Sequence, residues 1–540
     1  MRYIHYILVG WLLCLAVLFF VSCYEDKGNY DYVELGEVSI SFPAIDYARA
    51  IGTTLSVMPQ VQTDIPEDDL HYQWEVGCGS SLTGARPEFR LLQEGRDLNY
   101  DCHITELMPA PDTYVLRLHV IQTSTKRDFY SEQLRLTLSG LTGMMVLHDQ
   151  DAKSDIGIVV ANEFRPTTSG EEVETQILPH YFSEGNGGAK IDGVGKLLLQ
   201  LKGGSAKFGN YHAVVAVTDR TDVAASYGGL TILEGGWSNL LFYGNLNRNR
   251  PQAVFFSGNS DPMYTYQSAY IFDGGELFSR QNAEYVIRPN LGGENAYMPG
   301  YDLAPYIIKP SSNSSGGVQT YLFDNLSKQF LISTNEWGIL MTSTPNEKYL
   351  ARLDVPAACI NPAEFNADLL YWGIGGLDNH SLAVMQREDG GRFLFELDMT
   401  TGSNFSLIPV ATYEMDRLPD IGNASHYAFI EDGNTIYACF YATPSGVYRF
   451  TVDGQGTDLN AEPLRFLGGT GLDFTDERVT MLKIIDHQGS DMMLIGTYNE
   501  STAVGTLHAM TIDPVNGCVT GEVESYGGFG HITDVCLKHL

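Results

Sequence analysis

The chain is poor in positive charge. Its 540 residues include 33 Lys and Arg against 66 Asp and Glu, for a formal charge of -33. Such a surface repels phosphate backbones, so nucleic acid is not an expected partner. It also disfavours close contact with anionic lipid headgroups. Cysteine is scarce as well. Apart from Cys14 and Cys23 near the start, Cys78, Cys102, Cys359, Cys439, Cys518 and Cys536 are scattered without a CxxC pair, which leaves zinc-ribbon and thioredoxin-type sites unsupported. No HExxH, GxSxG or GxxxxGK[ST] occurs, so metalloprotease, nucleophile-elbow and P-loop chemistries lack a signature. No catalytic residue, cofactor or metal site is expected, and the chain does not read as an enzyme. Asp149, Asp151 and Asp155 form a sparse acidic loop, but Lys153 stands among them and the Gly and Glu of a calcium loop are missing.

What is present begins with the one long apolar run, Ile7 to Val21, preceded by Arg2 and followed by Ser22 and Cys23. The run is short for a spanning helix and has the flanks of a signal peptide. With Cys23 as first mature residue, it resembles a bacterial lipoprotein signal. That resemblance implies removal of residues 1–22 and acylation of Cys23, with 23–36 as a leash. Glu25 and Asp26, just beyond Tyr24 after the Cys, resemble the surface-export signal of Bacteroidota lipoproteins. Together they imply an outer-membrane, lipid-anchored protein facing the cell exterior, held through the lipid on Cys23.

Residues 37–139 read as short strands with turns. Val38 to Phe42 alternates apolar and polar, as do His71 to Val76 and Tyr114 to Val120. Pro and Asp clusters separate them. About a hundred residues of this kind predict an immunoglobulin-type sandwich with Trp74 in its core. Cys78 with Cys102, and Cys518 with Cys536, are disulfide candidates by proximity, and buried thiols are the equal alternative. The opening Cys23 to Tyr32, the Tyr72-Gln73-Trp74 strand, Tyr114 to Leu118 and the Gly143 to Asp149 transition resemble the PKD-like lipoprotein family of Bacteroidota. Its members are similar to accessory surface lipoproteins of starch-utilisation-type uptake loci. The resemblance implies a role in uptake beside a barrel importer and its lid lipoprotein.

Residues 140–540 have a different rhythm of hairpins and Gly-Asp turns. Leu369 to Asp398, Tyr427 to Asp453 and Val479 to Asp513 each end in a strand closing on Asp. An all-strand repeat of about fifty residues predicts a β-propeller of seven or eight blades. The expected fold is therefore all-β, a PKD/immunoglobulin-like sandwich followed by a propeller. Ring closure is expected from Gly530 to Leu537 pairing beside Met144 to Leu147.

The binding candidates are aromatic. Trp237, Trp337 and Trp372 lie in Gly- and Asn-containing contexts, and Tyr264, Tyr266, Tyr297 and Tyr301 in Tyr-rich, Gly- and Pro-containing stretches. Flat rings pack on the apolar face of a sugar, while neighbouring Asn and Asp bond its hydroxyls; core packing is the competing role for each. The expected function is surface capture of an oligomeric nutrient, in first place glycan, for a neighbouring importer. Alternatives are peptide capture for the same transporter type, a degenerate propeller hydrolase or lyase, and a purely structural importer subunit.

Overall fold

The computed structural model describes residues 36–538 except for 51–52, 79–87, 103–106, 109–112, 165–173, 206–208, 234–235, 237–249, 257–268, 281–301, 309–319, 334–349, 353–354, 376–379, 400–407, 431–437, 454, 457, 473, 475 and 488. Its contacts divide the chain into two compact units. One comprises residues 1–47, 56–100 and 115–135, the other 48–55, 101–114 and 136–540.

The first unit is the sandwich. In Leu70–Cys78, Tyr72, Trp74 and Val76 are buried while His71, Gln73 and Glu75 stay half-exposed. That period of two is what places one face of a strand on a core. Trp74 is fully buried, with its indole N–H donating to Arg96 O at 3.0 Å and the Phe42 ring 5.8 Å away. It is the core residue the sequence predicts. On the outward face the Arg117 guanidinium lies between the Phe89 and Tyr130 rings, 3.8 and 4.3 Å from their centroids, and donates to Glu75 at 2.7 Å.

The second unit contains seven antiparallel sheets among the described residues, six of them consecutive in sequence. The first blade combines His531–Lys538 with Gly143–Gln150, Lys153–Val160 and Gln176–Leu178. The second runs from Gly195–Ser205 to Ile232–Leu233, the third from Pro251–Phe256 to Glu276–Arg280, and the fourth from Thr320–Asp324 to Leu350–Arg352. Asp368–Ile374 opens the fifth, His426–Phe429 the sixth and Arg478–His487 the seventh, which ends with Val519–Phe529. Middle strands such as His380–Gln386 and Arg392–Asp398 are buried almost throughout. Both of their faces meet a neighbouring blade, so they read as continuous apolar runs.

The core is the series of interfaces between successive blades. Met145 and Leu147 of the first blade meet Leu198 and Val214 of the second. Phe323 and Phe330 of the fourth pack on Phe393 and Phe395 of the fifth. Leu382 and Leu394 then meet Tyr427 and Tyr441, and Phe440 meets Met493 and Ile495. Leu494 and Leu507 of the seventh blade return to Met144, Val146 and Val535 of the first. Among the described residues the ring therefore closes as a propeller of seven blades.

Closure uses the C-terminal strand, beside the expected partner strand: Met144 pairs with Leu537, Met145 with Cys536 and Val146 with Val535. The strand enters through a close backbone crossing. A Cβ on Gly505 would lie 1.8 Å from Gly530 O, and the Gly530 N–H donates to His148 Nδ1 at 3.0 Å. The recurrent Asp residues are turn builders. Asp324 accepts from the N–H groups of Leu326 and Ser327 at 3.2 and 3.0 Å, and Asp513 does the same for Val515 and Asn516.

The second disulfide candidate is corrected. Cys518 and Cys536 are free thiols, donating to Asn516 O and Leu537 O. The strand Val519–Phe529 runs along the seventh blade, and Cys536 lies on the closing strand paired with Met145 of the first blade. Cys518 lines the junction of the sixth and seventh blades, whereas Cys536 packs on the interface of the first and second, so the two thiols belong to different interfaces. Eighteen residues is near in sequence and far along an extended chain. In the sandwich region Cys102 is a buried thiol whose titration burial pushes up, rather than half of a bridge to Cys78. The Cys78 side chain lies outside the described residues.

Candidate functional site

The aromatic candidates divide sharply. Trp237, Trp337, Tyr264, Tyr266, Tyr297 and Tyr301 lie outside the described residues, as do Cys23, Glu25 and Asp26. Trp372 is corrected: it is 2 % exposed, its N–H donates to Ser381 Oγ at 3.2 Å, and the Phe330 ring meets it edge-on at 4.9 Å. Asp368–Ile374 places it in the interface between the fourth and fifth blades, where no sugar face can reach it. The Gly beside it marked it as a binding candidate, but Gly373 here gives room to the Tyr371 ring, which would sit 3.1 Å from a Cβ.

The acidic loop is also spent on structure. Asp155 is buried and accepts from Ile156 N, Ser183 N, Ser183 Oγ and His180 Nδ1 at 2.9, 3.1, 2.6 and 3.1 Å. Among the described residues no group of three or more His, Cys, Asp or Glu side chains is placed to hold a metal.

Two polar clusters lie at the closure. Asp534 on the last strand accepts from Lys483 Nζ at 2.9 Å and from Leu198 N at 2.8 Å. One carboxylate thus ties the seventh, first and second blades. Burial lowers the Lys483 pKa, but the Asp534 charge and hydrogen bond outweigh it and hold the ammonium above its ordinary value. The other cluster is Ser525–His508–Glu477. Ser525 Oγ is 2.9 Å from His508 Nδ1, and His508 Nε2 is 3.0 Å from Thr497 Oγ1 and 3.5 Å from Glu477. Burial pushes the His508 pKa down, towards a neutral base. Ser525 stands exposed on the outermost strand of its blade, opposite His508 in the ladder. This is a cross-strand contact on an open face.

A cavity among the described residues lies where the sixth blade meets the seventh. It holds about 360 Å³ and is lined by Arg449, Arg465, Phe466, Leu467, Gly468, Gly469, Asn516 and Cys518. Gly446–Phe450 presents Arg449, whose guanidinium donates to Glu462 Oε2 at 2.7 Å and to Asn516 O. Arg465 reaches the same Glu462 oxygen at 3.1 Å. The rim is a tight hairpin, with Phe466 N donating to Thr470 O and Gly469 N to Phe466 O. Gly468 and Gly469 have positive φ and open space around them, and Leu467 between Phe466 and Gly468 is 62 % exposed. Sequence reasoning missed this site. Its one local signal was a pair of arginines around Glu462 in a chain with few cations; Asn516 and Cys518 arrive from another blade.

Residues 23–190 match the PKD-like family, the family that the opening residues resemble. No curated relative matches at a significant level. Solved structures resemble the chain at low identity, three of them as follows. A quinoprotein alcohol dehydrogenase-like protein of Bacteroides thetaiotaomicron is 11 % identical, with 92 % of this chain and 97 % of that one covered and a TM-score of 0.42. A DUF4784 family protein of Bacteroides caccae is 8 % identical over 90 % and 95 %, with a TM-score of 0.24. The WD40 domain of SCAP from fission yeast is 13 % identical over 62 % and 73 %, with a TM-score of 0.28. The propeller rests on its own strand pairing and ring closure.

Proposed function

We propose that the protein is a surface-exposed outer-membrane lipoprotein that binds an oligomeric nutrient, in first place a glycan, and passes it to a neighbouring barrel importer. The observation that carries this reading is where the PKD-like match opens: at residue 23, the Cys taken as the acylated N-terminus. An anchored chain with a folded β-sandwich and a closed propeller suits capture, because a rigid ring holds its loops and cavities in place without needing to move. Its acidic surface keeps it soluble and clear of anionic headgroups.

The test has two arms. Cells fed a clickable palmitate analogue should label the wild-type chain and not Cys23→Ser, and protease added to intact cells should remove the protein. Failure of either removes surface anchoring. In the second arm, the purified full chain is titrated against panels of glycan oligomers and peptides, with product length followed over time. Binding without shortening supports capture. A hydrolase reading is favoured by one contact, Ser525 Oγ to His508 Nδ1; shortening that disappears in Ser525→Ala would establish it instead.

A further inference from the structure

We infer that the cavity between the sixth and seventh blades is an anion subsite that takes the carboxylate of an acidic sugar, a uronic acid residue of the captured glycan. This deepens the capture reading and rests on it. Arg449 and Arg465 share one carboxylate, and both draw on the same oxygen, Glu462 Oε2, at 2.7 and 3.1 Å. Two guanidiniums on one carboxylate leave N–H donors in excess at the cavity, while the nearby Asp513 carboxylate is taken up by Asn516 N and Nδ2. Each guanidinium has five N–H donors in a planar fork suited to carboxylate.

The two arginines play different parts. Arg449 is anchored, its side chain only 15 % exposed and its Nη1 held by Asn516 O. Arg465 is 42 % exposed and has the donors a ligand can reach. The lip supplies what the rest of a sugar ring needs. Gly468 and Gly469 leave open space, and Leu467 offers an apolar surface to the C–H face of a pyranose. Glu462, itself 43 % exposed, is an acceptor beside the cations for a hydroxyl next to the ligand's carboxylate. A cavity of about 360 Å³ is on the scale of a single sugar residue rather than a whole oligomer.

The test titrates the full chain with oligogalacturonate, with the same oligomer methyl-esterified, and with a peptide bearing either a free or an amidated C-terminus. The expected result is binding of the acid oligomer about tenfold or more tighter than of its ester, with the difference shrinking as salt rises. Arg465→Gln should abolish that preference while thermal unfolding stays unchanged, since the side chain is half in solvent. Arg449→Lys should reduce it, because a point charge replaces the fork. Equal affinity for acid and ester, or a preference that survives Arg465→Gln, overturns the subsite while leaving glycan capture standing. Arg465-dependent binding of the free-terminus peptide in place of the oligomer overturns the sugar as source. No binding of either oligomer overturns the subsite, while the glycan panel decides the capture reading separately.

Discussion

Replacing Lys538 by methionine should stabilise the propeller. Lys538 ends the closing strand and is 1 % exposed, yet its ammonium has one hydrogen-bond acceptor, Gly228 O at 3.1 Å, and no carboxylate in range among the described residues. The Tyr227 and Tyr181 rings lie 4.9 and 5.7 Å from Nζ. Burial pushes its pKa down from 10.5 to about 7. A shift of that size means the charged form costs roughly 4 kcal/mol at pH 7 relative to an unfolded chain. Two aromatic faces offset about 1–2 kcal/mol of this, and the lost hydrogen bond to Gly228 about 1 kcal/mol. Lys538→Met should then gain roughly 1–2 kcal/mol. The sign with pH follows from the same shift. The folded pKa lies below the unfolded one, so between about 7 and 10.5 the unfolded chain holds more protons and wild-type stability rises with pH. Buried thiols act oppositely above about pH 8, because burial raises Cys439 and Cys536. Urea midpoints of wild type and variant should therefore be compared from pH 6.5 to 8, where the gap should narrow as pH rises. A variant less stable than wild type, or a gap that widens with pH, refutes the reasoning.

Ring closure and low-pH stability give further tests. Deleting residues after Phe529 removes the inner strand of the first blade and the Asp534 tie, and should lower the melting temperature of the propeller; an unchanged transition would separate closure from stability. Gly505→Ala forces a Cβ against Gly530 O and should cost about 2–4 kcal/mol in a urea titration. His148 is held neutral by burial, donating from Nε2 to Pro179 O at 2.7 Å and accepting the Gly530 N–H at Nδ1. Its folded pKa lies below the ordinary 6.5, so the unfolded chain takes up the proton first and stability should fall as pH drops below about 6.5. His148→Gln should flatten that slope, read as urea midpoint against pH.

Much of the fold was legible because strand periodicity is local. Trp74 sits in an alternating strand, and alternation alone puts it on the core face. The closing Asp residues recur because each hairpin needs the same turn, and the pairing of the last strand beside the first follows from two apolar runs that both need partners. Trp372 misled because a ring beside a Gly looks the same in sequence whether the Gly opens a loop or makes room for a packed neighbour. Cys518 and Cys536 misled because sequence separation says nothing of direction along an extended strand. The arginine cavity had almost no local signal, since its walls come from two blades.

From its residues alone this chain is determined to be all-β, acidic and repeating, with a distinctive Cys23 junction at its start. These properties depend on composition and on neighbours within a few positions. Only the tertiary structure decided which rings are buried, which cysteines stay apart, and where scarce positive charge collects. Those outcomes depend on contacts between blades, as when Arg449 and Arg465 of the sixth blade meet Asn516 and Cys518 of the seventh.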